Sequence, residues 1–296
     1  MTLEPYLRPA DLDEALAALA EPGARPLVVA GATDLVPARR KARLNGASPD
    51  GDAAWSRLLD LSRLDDLCGI REVDGRLEIG AATTMAAIAR DALVARFVPA
   101  LAAAAGSVGS PLVRNRATVG GNLVTASPSA DTAPALLAAD ATVRLASSAG
   151  RRELPLAEFF VSYRRTALRP DEIVTHVLVS LAGRPAASRF EKVGLRNADA
   201  ISVVCAACEI ELEGRTCRAA RIALGAVAPV PVRAFAVETA LRGREVGDAA
   251  AAECARLVHE HISPIDDLRA SGRYRGWVAE AVVARMIADT AREARV

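Results

Sequence analysis

Apolar residues along this chain of 296 residues alternate between helical spacing and short strand-like runs. From Ala10 to Ala20 they recur every three or four positions behind Asp11 and Asp13, which predicts a capped helix stopped by Glu21-Pro22-Gly23. Pro26 to Ala30 is a continuous apolar run, read as a short buried strand, and the chain can be helical again from Leu35. Gly46 to Asp52 is a polar loop, and Leu58 to Leu61 is a short strand. Ile70 to Gly80 alternates around Asp74-Gly75, a hairpin signal. Thr83-Thr84 should cap a helix reaching about Asp91, with more helix to Ala105 and a loop from Gly106 to Pro111. A short helix follows at Thr132 to Ala139, then a second hairpin around Gly150. Phe159 and Phe160 read as core, and Arg164-Arg165 as exposed. The last third predicts three strands, Phe190 to Gly194, Ile201 to Leu212 and Cys217 to Gly225, with helices at Phe235 to Arg242, Asp248 to His261 and Tyr274 to Ala291. Strands followed by helices make a separate α+β layer.

Composition removes several classes of function. Hydrophobic residues make up 51% of the chain, enough for a full core, and the net charge is +1 without long charged runs. Nothing points to nucleic acid, and no apolar run is long enough for a membrane span. The stretch Met1 to Pro5 lacks the charged and apolar regions of a signal peptide, so the expected location is cytoplasmic. The five cysteines are odd in number and scattered, unlike a disulfide framework. Cys205 and Cys208 form a CxxC, but strand residues three apart face opposite ways, so they read as buried strand cysteines. The three histidines, His176, His259 and His261, suggest no metal site.

The candidate chemistry lies in two small-residue stretches. The first is Val28-Val29-Ala30-Gly31-Ala32-Thr33-Asp34-Leu35, a strand, a tight turn and a helix start. Such a turn aims backbone N–H groups and a positive helix end at whatever lies above it, although an ordinary capped helix fits equally well. It is not the dinucleotide fingerprint, because only Gly31 of the three glycines is present. The second stretch runs from Ala117 to Asp131 and contains Thr118, Gly120, Gly121 and Asn122. Its Gly-Gly pair can take positive φ and approach a ligand closely, and bare N–H groups beside Thr118 and Asn122 can hold an anion such as a pyrophosphate. Taken alone, Gly-Gly fits a bulge or turn as well. Only Lys41 and Lys192 are lysines, a weak pointer to a position where arginine does not substitute.

The run Arg114 to Asn122, continued by Thr125-Ala126-Ser127-Pro128-Ser129-Ala130-Asp131, closely resembles the second flavin-binding segment of the molybdenum hydroxylases. Ala30 to Leu35 resembles the first, with Ala32 in place of the common second glycine. The region from Phe159 to Val174 resembles the xanthine dehydrogenase branch more than the carbon monoxide branch, and the similarity extends over essentially the entire chain. The resemblance implies an α+β fold, with an FAD-binding domain of the vanillyl-alcohol-oxidase/PCMH type over 1–182 in subdomains of about 1–56 and 57–182. A small C-terminal α+β domain with a three-stranded antiparallel sheet would cover 183–296. It implies FAD contacts at Val28 to Leu35, Thr118, Gly120, Gly121 and Asn122, and carries over Asp131, Val174 and Lys192 as further FAD contacts. An exposed strand lysine is the plainer account of Lys192. The implied partners are a large molybdenum-cofactor subunit and a small subunit with two [2Fe-2S] clusters, assembled as a dimer of heterotrimers, with NAD⁺ or another electron acceptor. Two alternatives stand beside it: a stand-alone FAD oxidoreductase, and a cofactor-free interaction module on the same fold.

Overall fold

The computed structural model describes residues 6–23, 26–44, 57–183 and 187–293. The loop expected at 46–52 lies outside them. The chain opens with β1 (Tyr6–Leu7), α1 (Leu12–Ala20), β2 (Leu27–Val29), α2 (Leu35–Leu44) and β3 (Leu58–Asp60). β3 lies between β1 and β2 and runs parallel to both. The first helix forms as its pattern requires. The Asp11 carboxylate accepts the Glu14 N–H at 2.8 Å, and Leu12, Ala15, Leu16 and Leu19 face a small core that includes Leu59 and Leu67.

The middle of the chain contains β4 (Ile70–Val73), β5 (Arg76–Gly80), α3 (Met85–Ile88), α4 (Ala92–Phe97), α5 (Pro99–Ser107), α6 (Pro111–Arg114), α7 (Val119–Thr125) and α8 (Thr132–Ala138). It continues through β6 (Thr142–Ser147), β7 (Gly150–Pro155), α9 (Leu156–Phe159), β8 (Phe160–Ser162), β9 (Arg165–Thr166) and β10 (Ile173–Ser180). An antiparallel sheet in the order β4-β5-β10-β6-β7 carries the helices on one face, over a core that includes Leu77, Leu123, Leu136, Phe159 and Val177. Full burial of such a side chain contributes about 1.5–3 kcal/mol. The β4–β5 turn has φ of 49° at Asp74 and 71° at Gly75, the left-handed pair of a tight hairpin turn. The helix expected to run to about Asp91 ends at Ile88, and the further helix expected to Ala105 is broken into α4 and α5 before Pro99. Asp91 accepts the N–H groups of Leu93 and Val94 at 2.9 and 3.0 Å and starts α4, so its side chain competes with continuation of α3.

The last part comprises β11 (Ala187–Gly194), β12 (Ser202–Glu213), β13 (Thr216–Gly225), β14 (Val232–Arg233), α10 (Phe235–Leu241), α11 (Asp248–Ala255) and α12 (Gly272–Glu293). The antiparallel order is β11-β12-β13-β14. The three long strands are those expected. β14 adds a fourth, only two residues long, and the prolines at 229 and 231 hid its pattern. The helix expected to reach His261 ends at Ala255 and tightens into a 3-10 turn over Arg256–Glu260. Cys208 packs in this region's core, where burial pushes its thiol up to about 12, while Cys205 faces Asp131. The CxxC therefore points to two sides of β12, as strand geometry requires.

Helix α8 joins the last two parts. Every residue of it is buried, and it packs on β12 and β13. Charged residues from the C-terminal sheet hold both of its ends. Lys192 and Ser202 bond Asp131 at its start. At its end Arg221 donates to the Ala138 carbonyl at 2.9 Å, and Arg233 pairs with Asp140 at 2.6 Å.

Candidate functional site

A cavity of about 570 Å³ opens between the β2–α2 loop, the start of α7 and the start of β10. All of Val28 to Leu35 line it, together with Thr118, Gly120, Gly121, Asn122 and Val174. Two stretches about ninety positions apart in sequence thus meet across one space. Asp131 and Lys192 do not line it; they form a buried ion pair beside it.

The glycines act by close packing. A Cβ on Gly31 would sit 1.9 Å from the Arg116 carbonyl oxygen. A Cβ on Gly120 would sit 2.7 Å from Ala81 Cβ and 2.8 Å from its carbonyl oxygen. Neither has room for a side chain, so each lets one backbone lie directly on another. Gly121 is exposed, and its Cβ would meet only Thr118 Oγ1, at 3.0 Å. The positive φ expected of Gly120 and Gly121 is not found, because both lie in the first turn of α7. In the first stretch the left-handed residue is Ala32, with φ of 60°.

The N–H groups expected to be bare at the second stretch have partners. Val119 donates to the Thr83 carbonyl at 3.1 Å, Gly120 to Ala81 at 2.8 Å and Asn122 to Thr118 at 3.0 Å. Gly121 donates to the capping hydroxyl of Thr118 at 3.2 Å. These bonds fix the wall, so donors toward an anion come mainly from side chains here. The Thr118 hydroxyl accepts from Gly121 and keeps its own proton to give. Asn122 accepts a proton from Thr132 Oγ1 at its Oδ1, at 2.6 Å. Across the cavity Thr125 donates to Asp34 at 3.1 Å and ties the two stretches together.

The buried pair stands one residue before α8. Lys192 Nζ lies 2.6 Å from Asp131 Oδ2 and donates to the Ser107 carbonyl at 3.0 Å, and the Ser202 hydroxyl donates to Asp131 Oδ1. Burial raises the Asp131 carboxyl above its ordinary value, and Lys192, Ser202 and Cys205 pull it back down. Lys192 is thus a partly buried, paired lysine and not an exposed strand residue.

Arg164, Leu168 and Glu172 complete the cavity wall, and with Thr125 they went unnoticed in the sequence as site residues. Arg164 has φ of 54° and places its guanidinium 5.8 Å from the ring centre of the exposed Tyr163. Glu172 is buried, with a two-pronged bond from Arg152 at 2.7 and 2.9 Å and one from the Arg169 N–H at 2.8 Å. The Arg152 bonds hold its carboxyl below the usual value. Arg-Pro-Asp-Glu at 169–172 gives a turn signal but says nothing about Arg152, the partner that matters.

This space can hold an extended ligand with an anionic centre and an apolar ring. Hydroxyl and amide donors lie at Thr118 and Asn122, and small residues allow close approach. Among the described residues no three His, Cys, Asp or Glu side chains group as a metal site, and no helix is long and apolar enough to cross a membrane.

A family model described as the FAD binding domain in molybdopterin dehydrogenase matches residues 1–180. A second, described as the CO dehydrogenase flavoprotein C-terminal domain, matches residues 189–290. The chain is 30% identical to the nicotinate dehydrogenase FAD-subunit of Eubacterium barkeri, over 89% of its own length and 88% of that protein's. It is 28% identical to the 6-hydroxypseudooxynicotine dehydrogenase complex subunit alpha of Paenarthrobacter nicotinovorans, over 98% and 95%. Its fold matches the quinoline 2-oxidoreductase of Pseudomonas putida 86 with a TM-score of 0.89 at 30% identity, covering 99% of both chains. The chain belongs to the family of FAD-binding oxidoreductase subunits of the molybdenum hydroxylases, of the carbon monoxide and xanthine dehydrogenase type.

Proposed function

We propose that this chain binds FAD in the cavity between the Val28–Leu35 stretch and the start of α7, as the flavin subunit of a multi-subunit molybdenum hydroxylase. Electrons would arrive from the [2Fe-2S] clusters of a small partner, fed by a molybdenum cofactor in a large partner, and leave to NAD⁺ or another acceptor. The observation that carries this reading is the meeting of two distant small-residue stretches on one cavity, each with a glycine that has no space for a Cβ. FAD, when bound, supplies the redox chemistry, and the protein positions it.

The residues divide the work. Gly31 and Gly120 let the walls close. Thr118 and Asn122 give hydrogen bonds to the pyrophosphate and its neighbours. Val174, buried at the start of β10, offers an apolar surface to the flavin ring. Asp131 and Lys192, paired with each other, hold the start of α8, whose first residue bonds Asn122 in the cavity wall. Glu172, buried and held by Arg152, fixes the cavity wall at the turn before β10.

The test is the absorption spectrum of the purified full chain, before and after addition of FAD and removal of the excess. Bound oxidised flavin gives paired near-ultraviolet and blue bands. Gly121→Trp fills the cavity from an exposed position and should abolish retention while the melting temperature stays near that of the wild type. Equal FAD retention by Gly121→Trp would overturn the assignment of the cavity. Failure of the wild-type chain to retain FAD, alone and with its co-purified partners, would overturn the function.

A further inference from the structure

The Asn122 amide faces two ways, toward Thr132 on one side and toward the cavity on the other. Its Oδ1 accepts the Thr132 hydroxyl proton at 2.6 Å, and among the described residues that is the only side-chain partner of the amide. Thr132 is completely buried, at 0% exposure, so no water competes for its hydroxyl. An amide has one oxygen acceptor and one NH₂ donor. With the oxygen engaged on Thr132, the Nδ2 donors are left for the cavity that Asn122 lines. This matters because the backbone N–H groups of Val119 to Asn122 are already bonded within the protein. A side-chain donor must supply what the backbone does not. A flipped amide would present its oxygen to an anionic ligand and repel it.

Thr132 is also fixed from the other side of the molecule. It is the first residue of α8 and follows Asp131, whose carboxylate is held by Lys192 of β11 and Ser202 of β12. The C-terminal sheet therefore sets the position of Thr132, and Thr132 sets the amide of Asn122.

We propose that Thr132 is a positioning residue for the cofactor: it orients Asn122 so that the amide NH₂ faces the anionic part of FAD. The proposal rests on the reading of the cavity as an FAD site. Thr132 does not touch the cofactor; it acts through Asn122. A threonine at a buried helix position is otherwise read as a space-filling residue, and nothing in the sequence links it to Asn122, ten positions earlier.

The experiment is a double-mutant cycle on the full chain, with FAD affinity read by quenching of flavin fluorescence and the melting temperature of the FAD-free protein as a control on folding. Thr132→Val keeps the size and shape and removes the hydroxyl. It should weaken FAD binding about tenfold, the effect expected of one misplaced hydrogen bond to a charged group. Thr132→Ser restores the hydroxyl and should bind within about twofold of the wild type. In an Asn122→Ala background, Thr132→Val should add less than about a twofold further loss, because the group it orients is gone. A Thr132→Val protein that binds FAD as the wild type does would overturn the proposal. A tenfold penalty that persists undiminished in the Asn122→Ala background would do the same, since Thr132 would then act by another route. Should Thr132→Val fail to fold, the Ser variant decides: tight binding supports the proposal, and a tenfold loss despite a native melting temperature sinks it. A wild-type chain that takes up no FAD overturns the reading of the cavity, and the proposal with it.

Discussion

The stretch from Val28 to Leu35 and the stretch from Ala117 to Asn122 each lay a glycine against foreign backbone, and the N–H groups of the second are tied down by bonds to Ala81, Thr83 and Thr118. In the second, residues 117–120 are buried, Thr118 caps α7, and the N–H groups that follow are all engaged. In the first, Val28 and Asp34 are exposed, and Ala32 is held in the left-handed region without the benefit of being glycine. The second is a preformed wall. The first is anchored where β2 pairs with β3 and continues as a short flap from Ala30 to Asp34, tied to the wall by the Thr125–Asp34 bond and by Gly31 lying on Arg116. A cofactor cleft can therefore be built with rigidity on one side and give on the other, which suits a ligand that must enter before it is enclosed.

The glycine contacts provide the harshest way to break this comparison. Gly31→Ala places a methyl 1.9 Å from a carbonyl oxygen, and Gly120→Ala places one 2.7 Å from Ala81. Contacts this short put the overpacking at the upper end of its usual range, about 3 kcal/mol. At Gly120 the wall cannot yield, so stability should fall by that amount, or roughly 6–12 °C in melting temperature for a domain of this size. At Gly31 the flap can swing away. FAD binding should then be lost with a smaller thermal penalty. Thermal melts and FAD titrations of the two variants side by side check this. Equal thermal losses in both would show that the two stretches are equally rigid.

The cap tests the wall more gently. Thr118→Ala removes the hydroxyl that holds the Gly121 N–H and should cost about 1 kcal/mol. It also removes a donor proposed for the ligand, so FAD affinity should fall by about tenfold while the fold survives. Thr118→Ser should recover most of both. A Thr118→Ala protein with native stability and native FAD affinity would show that the wall does not depend on its cap.

Much of this was legible before the structure. Helical spacing placed α1, the Asp-Gly dipeptide placed the β4–β5 turn, and small residues bracketed by apolar runs marked both walls of the cavity. What stayed hidden has physical causes. Two residues directly after a pair of prolines carry no period, so β14 was invisible. Pro99 lies inside a helical pattern, and the sequence does not announce whether a proline will open a new helix or only bend the old one. Positive φ was the wrong reason to notice Gly120 and Gly121, since sequence shows that a Cβ is missing but not whether φ or a neighbour demands it. The bonds of Thr132 to Asn122, Thr125 to Asp34 and Arg152 to Glu172 depend on tertiary placement alone. Asp131 and Lys192 were singled out by resemblance, and only the coordinates reveal that they are each other's partners.

Ala32 gives the smallest effect and the sharpest test of strain in the flap. Its φ of 60° puts Cβ close to the following carbonyl, at an intrinsic cost of about 1–2 kcal/mol for a residue with a side chain. Replacement by glycine removes that cost. It also loosens the unfolded chain, which returns about 0.4–1 kcal/mol of the gain. The net expectation for Ala32→Gly is a stabilisation of about 0.8 kcal/mol, seen as a rise of roughly 2–3 °C in melting temperature. The backbone already holds the conformation that the ligand meets, so FAD affinity should change by less than about threefold. Ala32→Val should move the other way, because a branched side chain is worse in this region. If Ala32→Gly instead lowers the melting temperature, the alanine is not strained where it sits, and the flap is held as firmly as the wall.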